Sequence, residues 1–161
     1  MMKTLQIVLL LISLSAMPFA GIGQQLESTS IELLEQQVAT TPKYSLVFLH
    51  TDWCRFCAAM KNTTFKDADV VNMLNDQFYY VPFNGEQRES VQFVGTTYNF
   101  VPTGLSTGTH EFASAIGTVD GQLAYPTTII LDSEFRIVFR NNSFLGAEDL
   151  LTVLRGIALG E

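Results

Sequence analysis

Hydrophobic and polar residues recur along the chain with two different periods, one typical of helices and one typical of buried strands. The apolar residues Ile31, Leu34 and Val38 are spaced by three to four positions, which predicts a first helix ending near Thr41. Residues 44–50 (YSLVFLH) are almost continuously apolar, as in a strand that is covered on both faces of a sheet. A helix followed by such a strand favours a layered α/β domain.

The same patterns predict the remaining elements in chain order. They are a helix over 54–66, a helical piece capped by Asp67 or Asp69, a strand over 78–83, a hairpin turning at 94–96, a loop over 101–109, a short helix over 110–116, strands over 125–131 and 136–140, and a last helix from Gly146. Pro82 has no backbone N–H to donate, so its strand is expected at a sheet edge or to end there. The order of helices and strands along the chain predicts an α/β sheet with an antiparallel edge.

Composition narrows the class of protein. The chain has 161 residues, of which 47% are hydrophobic and 16% charged, enough apolar material for one packed domain. Nine Lys and Arg against sixteen Asp and Glu give a net charge of −7. Proteins that bind nucleic acid carry the opposite charge, because they must neutralise phosphates. We therefore expect no nucleic acid among the partners.

The N-terminus has the pattern of a secretory signal peptide. Lys3 precedes an apolar stretch over 5–20, which is followed by the small residues Ala20, Gly21 and Gly23. The strongly apolar part is about 15 residues long, whereas a spanning helix needs about 20. An uncleaved membrane anchor is the alternative. The sequence predicts a signal peptide over 1–23, cleaved after Ala20 or Gly23, and a periplasmic or secreted domain over 24–161 without stable membrane insertion.

The two cysteines of the chain, Cys54 and Cys57, lie where the buried strand gives way to a helix. The first thiol then meets free backbone N–H groups at the positive end of the helix dipole, which favours its thiolate. Cys54 is the candidate nucleophile, Arg55 adds a positive charge beside it, and Cys57 is placed to resolve a mixed disulfide. Trp53 would shield the pair. This redox-active disulfide completes an exchange cycle without a cofactor.

Two other uses of the cysteine pair are open at this stage. It could form a purely structural bridge, although a bridge over so short a loop stabilises little. It could also supply half of a zinc site, with His50 and His110 as the other ligands, since these are the histidines of the chain. Their spacing matches none of the ordinary zinc patterns, so no metal site is predicted.

Residues 46–71 (LVFLHTDWCRFCAAMKNTTFKDADVV) resemble the thioredoxin superfamily, and in particular its secreted thioredoxin-like proteins with a Trp-Cys-x-x-Cys motif after a buried strand. In those proteins a Met follows the second cysteine by three residues and a Thr-Phe pair comes some residues later. Met60 and Thr64-Phe65 match this pattern. A second signature, Tyr-Pro-Thr-Thr at 125–128, is similar to the family's cis-proline element, which faces the cysteine pair and binds substrate backbone.

The resemblance spans residues 31–157 and implies a thioredoxin fold, a central mixed sheet flanked by helices, with a hairpin or loop insert before the cis-proline strand. An ordinary trans proline at the strand entry is the alternative. The resemblance also implies a thiol-disulfide oxidoreductase with protein disulfide or thiol substrates and an electron donor thiol protein, acting as a reductase or isomerase. The residues implied to contact substrate flank the two cysteines and the proline; they are Trp53, Arg55, Phe56, Tyr125, Pro126 and Thr127.

The chain departs from many thioredoxins in its motif and around it. The buried carboxylate that they carry six residues before the first cysteine is replaced by Phe48. The nearest polar residues are His50, expected either as a core histidine with its polar atoms satisfied or as a proton shuttle, and Asp52, expected to be solvated. Arg55-Phe56 stands where cytoplasmic thioredoxins have Gly-Pro, which leaves the redox potential open.

The second departure is an insert at about 85–108, because Cys54 and Pro126 are 72 positions apart, more than two helices and a strand require. The insert could be a flap that selects substrates, or a hairpin that decorates the sheet edge. The competing function is a non-enzymatic thioredoxin-fold binding module that uses this aromatic-rich insert as an interaction surface.

Overall fold

The computed structural model describes residues 24–160, and the predicted signal peptide over 1–23 lies outside the described residues, as do its cleavage sites. The α-helices in this part of the chain are α1 (Ile31–Thr40), α2 (Arg55–Asn62), α3 (Ala68–Gln77), α4 (Glu111–Gly117) and α5 (Ala147–Leu159), with a 3-10 turn at Thr64–Lys66. None of the helices within 24–160 combines the length and the apolar character that crossing a bilayer requires.

The strands are short apart from the first two in the chain. They are β1 (Tyr44–His50), β2 (Phe78–Asn84), β3 (Val91–Phe93), β4 (Thr96–Tyr98), β5 (Phe100–Pro102), β6 (Gly108–His110), β7 (Thr127–Leu131) and β8 (Ile137–Asn141). Four of them form the central sheet in the order β2-β1-β7-β8. β1 and β2 are parallel, whereas β7 runs antiparallel to both β1 and β8. The predicted mixed sheet with an antiparallel edge is confirmed, and so is the edge position of the Pro82 strand.

The run of apolar residues in β1 is explained by two cores, one on each face of the sheet. Leu46 and Phe48 belong to a first core, which α2, α3 and α5 cover. Val47 and Leu49 belong to a second core, covered by α1, β3 and α4. Because successive side chains of a strand point to opposite faces, a strand between two helical layers has no position left for a polar residue facing water.

The observed ends of some elements differ from the predicted ranges, and local hydrogen bonding accounts for where they lie. The Oδ1 atom of Asp67 accepts from the backbone N–H groups of Asp69 and Val70, so Asp67 is the N-cap of α3, one of the two predicted candidates. The helix predicted over 54–66 is wrong in its length, because α2 ends at Asn62 and a separate 3-10 turn follows. The strand predicted over 125–131 begins two residues later, at Thr127; Pro126 has no N–H for a sheet hydrogen bond.

The insert consists of two hairpins. The first, β3–β4, turns at Val94 and Gly95, both with positive φ (49° and 71°), as the sequence predicts. The prediction of a loop over 101–109 is confirmed for residues 103–107 but is wrong at both ends, since β5 and β6 pair there in an antiparallel ladder. Strands of three residues rich in Thr, Gly and Pro lack the alternation of apolar and polar residues that would reveal them.

Candidate active site

The cysteine pair lies at the point where β1 leaves the sheet and α2 begins. Cys54 is the N-cap of α2, and its Sγ accepts a hydrogen bond from the backbone N–H of Cys57 at 3.0 Å. The two sulfurs are joined in a disulfide with a Cα–Cα distance of 5.2 Å. Cys54 is 5% exposed and Cys57 1%, so the first sulfur is the more accessible one. A thiolate at Cys54 would be stabilised by the same N–H group and by the helix dipole.

The register of β1 with β7 brings the proline loop to the disulfide. The two strands are antiparallel, and Leu49, at the end of β1, pairs with Thr127, at the start of β7. The Tyr125–Pro126 peptide bond is cis, as the resemblance predicts. Pro126 and Thr127 are buried, and the Thr127 hydroxyl donates to the carbonyl oxygen of Ala124 at 2.7 Å. The Thr127 side chain therefore supports the loop from inside rather than presenting itself to solvent.

Three predicted contact residues form an exposed rim around the buried sulfurs. Trp53 is 67% exposed and Phe56 65%, and Arg55 between them also faces solvent. The Trp53 ring meets Tyr125 edge-on, with 6.2 Å between ring centroids and an interplanar angle of 85°. Large aromatic side chains that remain exposed in a folded domain are typical of interaction surfaces. The rim therefore places exposed aromatic surface next to the buried sulfurs.

Two residues at the site were not foreseen from the sequence. The Nε1–H group of Trp53 donates to Oε1 of Glu86 at 3.1 Å, and the hydroxyl of Tyr125 packs directly on Gly85. Both residues immediately follow β2. Because β1 and β2 are parallel, their carboxyl ends lie at the same edge of the sheet, and residues after them are placed to share a site. Applied to the strand at 78–84, the rule that the carboxyl ends of parallel strands share a site would have indicated Gly85 and Glu86 as site residues.

His50 is held beneath the motif as a core histidine with a polar partner. Its Nδ1 accepts from the Lys61 ammonium at 3.0 Å, and its ring stacks on Phe48 with 5.9 Å between centroids. Burial, and next the charge of Lys61, lower the pKa of His50 to about 4. The ring is therefore neutral near pH 7, as an acceptor for Lys61 must be. Asp52 is exposed, as expected, and accepts from the Asn84 amide at 3.4 Å.

The second histidine of the proposed zinc set is engaged elsewhere. The Nδ1 atom of His110 accepts from the backbone N–H of Phe112, and its Nε2 faces the carbonyl oxygen of Glu89, both at 3.1 Å. Within residues 24–160, no three His, Cys, Asp or Glu side chains are grouped so that they could hold a metal ion. The geometry that the described residues do assemble is that of a disulfide at a helix N-terminus.

Several solved structures share the fold of this chain over most of its length. The chain resembles DsbH oxidoreductase with a TM-score of 0.63 and 15% identity over 89% of this chain and 93% of that chain. It resembles a thioredoxin-fold protein from Helicobacter pylori with a TM-score of 0.60 and 16% identity over 88% and 81% of the two chains. For the disulphide isomerase from Xylella fastidiosa Temecula1 the TM-score is 0.51, at 13% identity over 77% and 85%. These likenesses confirm the predicted fold.

Sequence comparison gives the family. No curated protein is significantly similar to the chain in sequence. The family described as Thioredoxin-like domain matches residues 32–158, which include the cysteine pair, the insert and the proline loop. Together with the bonded Cys-x-x-Cys pair, this match supports thiol-disulfide oxidoreductase chemistry at the general level. The chain belongs to the Thioredoxin-like domain family.

Proposed function

We propose that this protein exchanges disulfides with protein substrates outside the cytoplasm, as a reductase or isomerase. The observation that carries the proposal is the Cys54–Cys57 disulfide at the N-terminus of α2, with the backbone N–H of Cys57 directed at the first sulfur. A purely structural bridge would not need a helix N-terminus that favours a thiolate, nor an exposed aromatic rim around it.

The exchange cycle uses the two cysteines in turn. In the reduced protein, Cys54 loses its proton to solvent and the thiolate attacks one sulfur of a substrate disulfide, releasing the other sulfur as a thiolate. Cys57 then loses its proton to solvent, and its thiolate attacks Cys54 in the mixed disulfide and releases the second substrate sulfur as a thiolate. Both released substrate thiolates take up protons from solvent. The substrate has gained two electrons and two protons, and the Cys54–Cys57 disulfide has formed. A donor thiol protein reduces it again by the reverse steps.

The shape of the site favours polypeptide substrates. Trp53 and Phe56 offer exposed apolar surface beside the sulfurs, and Tyr125 of the Tyr125–Pro126 loop packs edge-on against Trp53. In the family that the sequence resembles, the cis-proline element binds substrate backbone, and we assign Tyr125 and Pro126 the same role. Arg55, exposed beside Cys54, adds positive charge that favours the attacking thiolate.

The compartment is inferred from the leader. The apolar segment over 5–20 followed by small residues is typical of an export signal. The similar structures include one titled DsbH oxidoreductase and one titled disulphide isomerase. These observations support a periplasmic or secreted protein.

The aromatic side chains of the insert do not favour the alternative of a non-enzymatic binding module. That alternative depends on an insert whose aromatic side chains face outward. Phe93 is buried in the second core, and Tyr98 packs against that core. Phe100 is half-buried beneath Arg88, whose guanidinium lies 4.9 Å from the ring centroid. The aromatic residues of the insert are therefore largely used for folding.

The purified protein is expected to accelerate reduction of a generic protein disulfide by dithiothreitol, because it supplies an activated thiolate and a surface for the substrate chain. The measurement is the rate of substrate reduction with and without the protein. A variant with both Cys54→Ser and Cys57→Ser keeps the rim and is the matched control. If the wild type is no faster than this control, the protein is not an oxidoreductase for protein substrates.

The reduction potential is expected between the values of about −270 mV for thioredoxin and about −120 mV for DsbA. The helix N-terminus and Arg55 stabilise the reduced form. Phe48 removes a buried negative charge that would oppose it, and Phe56 adds no hydrogen bond to a sulfur. Equilibration with glutathione buffers measures the potential directly. A value at or above about −120 mV would identify an oxidant and contradict the proposed direction.

A further inference from the structure

The insert begins at the active site with a two-residue turn, Gly85–Glu86, whose backbone is fixed from two sides. The N–H of Gly85 donates to the carbonyl oxygen of His50, the last residue of β1, at 2.8 Å. The carbonyl oxygen of Gly85 accepts from the N–H of His110, the last residue of β6, also at 2.8 Å. The turn is therefore bound both to the strand that leads to the cysteine motif and to the far end of the insert.

Each residue of this turn holds one aromatic side chain beside the disulfide. Glu86 accepts the only N–H group of the Trp53 indole, at 3.1 Å. Gly85 supports Tyr125, whose hydroxyl lies so close that a Cβ at position 85 would overlap it. That hydroxyl is buried and has no hydrogen-bond partner among residues 24–160, so it is located by packing, which at its own end is packing on Gly85. Trp53 and Tyr125 then meet edge-on and form what we call the aromatic wall.

An exposed Trp would otherwise sample several rotamers. Trp53 is 67% exposed, and burial alone does not restrict it. Holding it before a substrate arrives removes part of the conformational entropy that binding must otherwise overcome. The sulfurs themselves make no hydrogen bond to Glu86 within the described residues. The effect of the carboxylate is therefore expected on substrate binding and not on the exchange chemistry.

We infer that Glu86 is a positioning residue, and that the Gly85–Glu86 turn makes the insert part of the substrate site by fixing the aromatic wall. The inference rests on the proposed function, because the wall acts on a polypeptide substrate. It assigns the insert a role other than decoration of the sheet edge. The role depends on the carbonyl-type acceptor of residue 86 and not on its charge.

The test compares two substitutions of Glu86 in the disulfide reduction assay. Glu86→Ala removes the acceptor and is expected to raise KM about fivefold while kcat stays unchanged, the effect of losing one hydrogen bond of about 1 kcal/mol. Glu86→Gln keeps a carbonyl oxygen that can accept from the indole and is expected to restore the wild-type KM. Glu89→Ala, an exposed carboxylate three positions further along the insert, is the matched control for charge.

A spectroscopic measurement reports the position of the indole independently of turnover. Trp53 is the single Trp of the chain, so fluorescence excited at wavelengths where only indole absorbs comes from this site. We expect lower fluorescence anisotropy in Glu86→Ala than in the wild type, in Glu86→Gln or in Glu89→Ala, because the released ring moves more freely. Far-UV circular dichroism of the same samples confirms that all four proteins are folded.

The outcomes separate this inference from the proposed function. If the wild type is active and Glu86→Ala has the same KM and anisotropy as the wild type, the positioning role is overturned and the proposed function is not. A Glu86→Gln variant as impaired as Glu86→Ala would show that charge, not the hydrogen bond, is what matters, and would overturn it as well. A wild type that reduces no protein disulfide would overturn the proposed function and this inference with it.

Discussion

Replacing Cys57 by Ser is expected to abolish turnover and to leave substrates covalently attached to Cys54. The attacking sulfur is retained at the N-terminus of α2, so the first exchange proceeds and the mixed disulfide forms. The resolving thiol, three residues further into the helix and almost fully buried, is missing, and the intermediate cannot collapse. Non-reducing electrophoresis followed by mass spectrometry would show the adducts, and steady-state turnover would fall at least about a thousandfold.

The matched variant is Cys54→Ser, which removes the more accessible sulfur and keeps the less accessible one. It is expected to be equally inactive but to trap few or no adducts, since Cys57 is 1% exposed and lies beneath the rim. Equal trapping by both variants would contradict the assignment of Cys54 as the nucleophile. Adducts that form through Cys57 alone would show that Cys57 is the nucleophile and Cys54 the resolving cysteine.

Replacing Phe112 by Ala is expected to lower the free energy of unfolding by about 3 to 5 kcal/mol. Phe112 is fully buried on α4, and its ring packs edge-on against Phe83 at 4.8 Å, Phe93 at 5.4 Å and Tyr98 at 5.5 Å between centroids. These partners belong to the central sheet and to the first hairpin of the insert. The substitution would leave a cavity where α4, β2 and the insert meet. Urea unfolding followed by circular dichroism measures the loss.

Phe144→Ala is the control for this substitution, because it removes the same side chain from a position that is 43% exposed. A smaller loss, about 1 kcal/mol or less, is expected there since little apolar surface returns to water. A similar loss in both variants would contradict the second core as described. An unchanged stability of Phe112→Ala would show that the insert does not pack on the sheet.

Much of the fold was predictable because its signals are local. The apolar run of β1 and the Val94-Gly95 turn each depend on residues a few positions apart, and each appears in the structure where the sequence places it. The cap of α3 is also local, and Asp67 is one of the two candidates that the sequence offers. The second hairpin was not predictable in this way. Its strands are three residues long, and they are held by pairing to each other and by the hydrogen bond from His110 to Gly85. Their stability comes from contacts that no periodicity encodes.

In the active site, too, some features follow from a short segment of sequence and others depend on the tertiary structure. The Cys54–Cys57 spacing and the helix that begins between them are properties of a short segment, and they favour exchange chemistry before any tertiary information is added. The choice of side chains around the sulfurs is different. Tyr125 reaches the site because β7 pairs with β1, and Glu86 reaches it because β2 ends at the same sheet edge. Strand register is set by the packing of whole faces, so only the folded chain brings these distant residues to Trp53.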